Sequence, residues 1–109
     1  MPHSIYRGDS WVVSWTILGA DNQPINLTGA TARVQLRDQQ NNLLVNADLS
    51  NGYLSINPTQ GRIDMNVPYA VMDTVPIGTY QYDLEVTFAN GVRRTYVVDQ
   101  LYIERDVSY

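Results

Sequence analysis

The chain has no cysteine, no lysine and a single histidine in 109 residues. Without cysteine there is neither a disulfide nor a thiolate metal site, so non-covalent packing has to hold the fold. The one histidine, His3, falls in a segment, residues 1–10, that reads as an entry into the first strand. It offers no base for a Ser–His–Asp or Cys–His triad and no zinc-ligand set. No apolar run approaches the length of a membrane span, and MPHSIYRGDSW lacks the apolar stretch of a secretory signal. A chain made and folded in a cytoplasm, without membrane contact, is therefore expected. Its formal charge of -4 argues against nucleic acid, whose binding needs a basic stripe. Glycine patterns that cradle phosphate are missing as well. With 109 residues the sequence accommodates one domain, residues 1–109, with a folded surface of about 6,000 Å².

Acidic residues are more numerous. Asp64, Asp73, Asp83 and Glu85 are the candidates for a glycosidase pair or a calcium site, but no DxDxDG-type loop accompanies them. Alternate acids on a strand read as a solvated face. No catalytic residue, metal ligand or cofactor is assigned, and the chain is expected not to be an enzyme. Arg7-Gly8-Asp9 matches an integrin-binding tripeptide, yet it reads as a turn before a strand, with Gly8 supplying backbone freedom.

What the chain does contain is alternation. In residues 80–88 the even positions are Tyr80, Tyr82, Leu84, Val86 and Phe88, and Gln81, Asp83, Glu85 and Thr87 stand between them. A period of two marks a strand with one buried and one wet face. Asn90-Gly91 then signals a hairpin with a two-residue type I′ turn. That register pairs Phe88 with Arg93, Val86 with Thr95 and Leu84 with Val97, and it makes Glu85 and Arg94 diagonal neighbours. It also brings Asp99 to the core face, where a carboxylate is costly. A bulge near Asp99-Gln100 is expected to relieve this.

The rest of the chain follows suit. Residues 11–18 form a strand with Trp11 and Trp15 on one face, and Gly19 to Asn26 is a loop. Ala32, Val34 and Leu36 point inward from the next strand. Residues 43–49 and 53–57 are strands separated by a second Asn-Gly turn. Ile63, Met65 and Val67 mark another, and residues 68–74 form one helical turn that Pro76 stops. Seven or eight short strands with frequent turns predict an antiparallel β-sandwich, immunoglobulin-like in architecture. A small Greek-key barrel is the alternative.

Tyrosine is unusually frequent, with eight copies. Strand parity sends Tyr80 and Tyr82 inward and sends Arg94, Tyr96, Val98 and Tyr102 outward. Arginine, the sole long cation here, and tyrosine are both enriched at protein interfaces. These four residues are the candidate interface. Aromatic faces also bind sugars, so a host-surface or carbohydrate-binding module is the reading from another class.

Three blocks, RGDSWVVSWTI at 7–17, INLTGATARVQLRD at 25–38 and PIGTYQYDLEVTFANGVRRT at 76–95, resemble small immunoglobulin-like domains of tailed-phage virion proteins. Such domains stand at the head of baseplate upper proteins and in other tail components. The resemblance covers most of the chain and implies a scaffold without active-site residues. It implies a structural protein present in multiple copies in a symmetric virion, with other virion proteins as partners. Baseplate or tail is the expected location, and head decoration is the alternative.

Overall fold

The structure is a computed structural model and describes residues 3–6 and 8–104. Among the described residues, eight strands and one α-helical turn follow one another, with a short 3₁₀ turn between the fifth and sixth strands: β1 (His3–Tyr6), β2 (Trp11–Thr16), β3 (Thr31–Arg37), β4 (Leu43–Asp48), β5 (Leu54–Asn57), β6 (Arg62–Val67), α1 (Tyr69–Met72), β7 (Gly78–Thr87) and β8 (Arg93–Glu104). They build a five-stranded sheet in the order β1-β8-β7-β3-β4 and a three-stranded sheet in the order β2-β6-β5. Among the described residues only β1 and β8 pair in parallel; the other neighbouring strands are antiparallel.

Alternation explains why these strands face as they do. Ala32, Val34 and Leu36 of β3, Ile63, Met65 and Val67 of β6, and Tyr80, Tyr82, Leu84 and Val86 of β7 are buried between the sheets. Their odd or even neighbours remain at the two outer surfaces. In immunoglobulin terms β2, β5 and β6 are the B, D and E strands, β3, β7 and β8 are C, F and G, and β4 adds C′. The first strand has moved to the edge of β8. This is an immunoglobulin-like sandwich.

Two tyrosines anchor it. Tyr80, near the start of β7, donates its hydroxyl to the Pro76 carbonyl at 2.5 Å, the tyrosine corner of this architecture. Two residues further, Tyr82 stands where antibody domains carry their second bridging cysteine. Trp11, from the opposite sheet, meets it with ring centroids 5.1 Å apart. An aromatic pair thus joins the sheets of a chain that has no cysteine.

Turns follow local chemistry. The Asp38 carboxylate accepts the backbone N–H groups of Gln40 and Asn42, both at 2.9 Å, and lets Asn41 take φ +68°. These bonds, the Asn42 backbone one first, hold the Asp38 carboxyl below its usual range. Gly61 ends a short 3₁₀ turn, Pro58–Gln60, at φ +61°. A Cβ there would lie 2.7 Å from the Ile25 carbonyl oxygen, so the position excludes a side chain. Asn51-Gly52 is a turn as expected, but it carries the chain from the five-stranded sheet to the three-stranded one.

Part of the entry segment is itself a strand: His3–Tyr6 forms β1 and pairs in parallel with Leu101 to Glu104 at the end of β8, which gives backbone groups on both strands their partners. The Arg-Gly-Asp motif lies partly outside the described residues, at Arg7. Its remainder is a turn, with Gly8 at φ +94° and the Asp9 N–H donating to the Tyr6 carbonyl at 3.1 Å.

Candidate docking surface

The candidate interface belongs to β8, and the geometry of β8 is set by its hairpin with β7. The loop has three residues, not two. Phe88 N–H donates to the Val92 carbonyl at 2.8 Å, and Gly91 N–H donates to the Phe88 carbonyl at 2.9 Å. Gly91 alone adopts the left-handed conformation, at φ +88°. Asn90 does not; its side-chain oxygen accepts the Val92 N–H at 3.0 Å. This is a turn closed by a left-handed glycine, the usual three-residue alternative to type I′.

One additional loop residue shifts the register by one. Thr87 pairs with Arg93, Val86 with Arg94 and Glu85 with Thr95; from Leu84 with Val97 onward the expected pairing holds. Tyr96 is the extra residue, so the bulge lies there and not at Asp99-Gln100. Tyr96 turns toward Phe88, with ring centroids 6.3 Å apart and planes at 78°, and packs against the margin of the core. That contact gives the bulge an aromatic partner which Asp99 could not have used.

Asp99 accordingly stays on the core-facing side, opposite Tyr82. It is half-buried, and its carboxylate accepts the Gln100 N–H at 2.8 Å. Three strands cannot cover five, so β8 sits at a wet margin of the sandwich and the carboxylate keeps access to water. Burial, and secondly the Asp99 charge, push the Tyr82 hydroxyl up to about 12.

The four candidate residues therefore divide. Val98 and Tyr102 remain on the outer face, opposite Asp83 and Thr79. Val98 is 76% exposed, and Tyr102 donates its hydroxyl to Gln100 Oε1 at 2.9 Å. Tyr96 has turned to the core side. Arg94, opposite the buried Val86, leaves the strand on that same side and is exposed. The shift also replaces Arg94 by Arg93 beside Glu85: Arg93 Nε lies 3.5 Å from Glu85 Oε1, and Arg33 of β3 reaches the same oxygen at 2.7 Å.

Strand β3 completes the outer face. Arg33, Asp48, Glu85 and Arg93 line an open cleft of about 350 Å³. Gln35 donates to Asn46 Oδ1 at 3.1 Å, and Arg37 bonds Gln35. The outer face is therefore largely polar, with Val98 an exposed apolar residue near its β8 edge. The Arg33–Glu85–Arg93 group escaped sequence reasoning because it depends on loop length: had Asn90-Gly91 been read as a three-residue turn, Arg93 would have followed. Among the described residues no three His, Cys, Asp or Glu side chains gather so as to hold a metal. No helix of the described chain is long and apolar enough to cross a membrane.

No family model and no curated protein matches the sequence. Among solved structures the chain is similar to CopC from Methylosinus trichosporium OB3b, with a TM-score of 0.58 at 9% identity, covering 99% of this chain and 88% of that one. Extracellular domains 3–5 of Drosophila OTK give a TM-score of 0.40 at 15% identity, over 94% of this chain and 32% of that one. At such low identity the likeness to CopC speaks for the fold alone.

Proposed function

We propose that this chain is a non-enzymatic structural module of a tailed-phage virion that docks on other virion subunits through strand β8. One observation carries the reading. The three blocks that resemble phage immunoglobulin-like domains contribute Trp11, Leu36 and Tyr82, and these meet at a single point: Leu36 is the register partner of Tyr82, and Trp11 packs on its ring. The resemblance thus concerns the joint of the scaffold and not scattered surface positions. A module of this kind works by presenting a rigid surface. Val98 and Tyr102 supply an apolar and an aromatic contact on the outer face of β8, and Arg94 and Tyr96 stand along its other side.

Baseplate or tail is the proposed location, with other virion proteins as partners in a symmetric assembly. The chain would be made in the host cytoplasm and end in the particle. The experiment is mass spectrometry of purified particles. The reading expects the chain at a fixed ratio to tail subunits; a ratio fixed to head subunits would move it to head decoration. Absence from clean particles, with the chain present in the lysate, would reject the virion role.

A further inference from the structure

Strand β8 is 12 residues long, yet β1 covers only its end, from Leu101 to Glu104. Among the described residues, 93–100 has β7 along one edge and no strand along the other. Such an edge presents N–H and C=O groups that a further strand can pair.

The bulge gives this edge an unusual symmetry. Arg94 and Asp99 are five apart, and in a regular strand they would face opposite ways. Here Tyr96 is interposed, and both lie on the core-facing side, opposite Val86 and Tyr82. Thr95 and Val98 both lie on the outer side, opposite Glu85 and Asp83. Tyr96 and Val97 both pack toward the core margin. From 94 to 99 the strand therefore reads in, out, in, in, out, in, and is mirror-symmetric about the 96–97 bond.

We infer that β8 pairs antiparallel with β8 of a second copy of this chain, across a two-fold axis at that bond. The pairing sets Arg94 against Asp99 of the second copy, Thr95 against Val98 and Tyr96 against Val97. Every residue then meets a partner on its own face, as an isologous contact requires. The charges are complementary twice over, since each copy offers one guanidinium and receives one carboxylate. Asp99 accepts the Gln100 N–H among its contacts; an ionised carboxylate has roughly four acceptor sites and can take several donors at once. Val98, 76% exposed in the single chain, gains the cover of a threonine. The five-stranded sheet becomes a continuous ten-stranded one, and the outer face that carries Tyr102 stays open. This inference concerns the isolated chain and does not rest on the virion reading.

Sedimentation equilibrium of the whole chain tests it. Wild type should dimerise, and Arg94→Asp should weaken the dimer about tenfold by placing like charges together at both symmetric contacts. Asp99→Arg should do the same, and the double swap Arg94→Asp with Asp99→Arg should restore the wild-type constant. Arg62→Glu, on the other sheet, should leave it unchanged. Each variant is checked by circular dichroism; if Asp99→Arg fails to fold, Arg94→Asp and the loss of dimer with added salt decide the matter. A wild-type monomer at concentrations up to about 1 mM, where even weak pairing is populated, would overturn the proposal. So would a dimer indifferent to Arg94→Asp, or a folded double swap that stays weak; binding of a heterologous strand to that edge in place of a second copy would count against it equally.

Discussion

The rings of Trp11 and Tyr82 meet nearly at right angles across the sandwich, 5.1 Å apart at their centroids and with 82° between their planes. Both are almost fully buried, at 1% and 2% exposure, and they come from different sheets. Trp11→Ala should cost about 3–5 kcal/mol of stability. In a double-mutant cycle with Tyr82→Ala, a coupling of about 0.5–1.5 kcal/mol is expected from an edge-on aromatic pair. Equilibrium urea unfolding supplies the four free energies. Strict additivity would mean that the two rings fill space without joining the sheets.

Alkaline pH should weaken the fold through Tyr82. Burial first, and the Asp99 carboxylate second, raise its hydroxyl to about 12, against about 10 in the unfolded chain. Below pH 10 both states keep the proton and stability is flat. Between 10 and 12 the unfolded chain releases it while the folded chain does not, so the unfolded state binds fewer protons and unfolding free energy falls as pH rises. Tyr82→Phe should flatten the decline in that window. An unchanged slope would show that Tyr82 does not titrate late.

Tyr80→Phe isolates the corner. The ring stays buried, and only the 2.5 Å bond to the Pro76 carbonyl is lost. A decrease of about 1 kcal/mol is expected, since that carbonyl is near the surface and regains water. A loss of several kcal/mol would mean that the bond positions the whole crossing from α1 to β7.

How much of this was legible in the sequence follows from period. Tyr80, Tyr82, Leu84 and Val86 alternate without interruption, and their burial matched expectation because a two-residue repeat leaves one choice of inner face. Strand β8 has no such repeat, since Arg94, Tyr96 and Val98 alternate as well as Thr95, Val97 and Asp99 do. Its facing was set by the loop, and Asn90-Gly91 is compatible with two-residue and three-residue turns alike. One residue of loop length moved Tyr96 to the inner side, brought Arg93 to Glu85 and divided the candidate interface. The parallel pairing of β1 was beyond reach for another reason: four residues, His3–Tyr6, carry too little pattern to name a partner 98 positions away.

Leu84 and Asp83 are neighbours with opposite fates. Leu84 has no exposure, and Asp83 faces outward beside Val98. Leu84→Ala should cost on the order of 2–5 kcal/mol through the cavity it leaves, and Asp83→Ala well under 1 kcal/mol. Urea melts of the two variants make the comparison, and equal losses would refute the facing of β7.

The central claim is that the outer side of β8 is a docking surface in a particle. Its most direct measurement is competitive incorporation. Wild type and a Val98→Asp, Tyr102→Asp double variant, the latter shown to be folded by circular dichroism, are expressed together, and their ratio is measured by mass spectrometry in the lysate and in purified particles. Charge placed at two central contacts should deplete the variant from particles about tenfold or more relative to the lysate. Equal ratios in the two would contradict the claim.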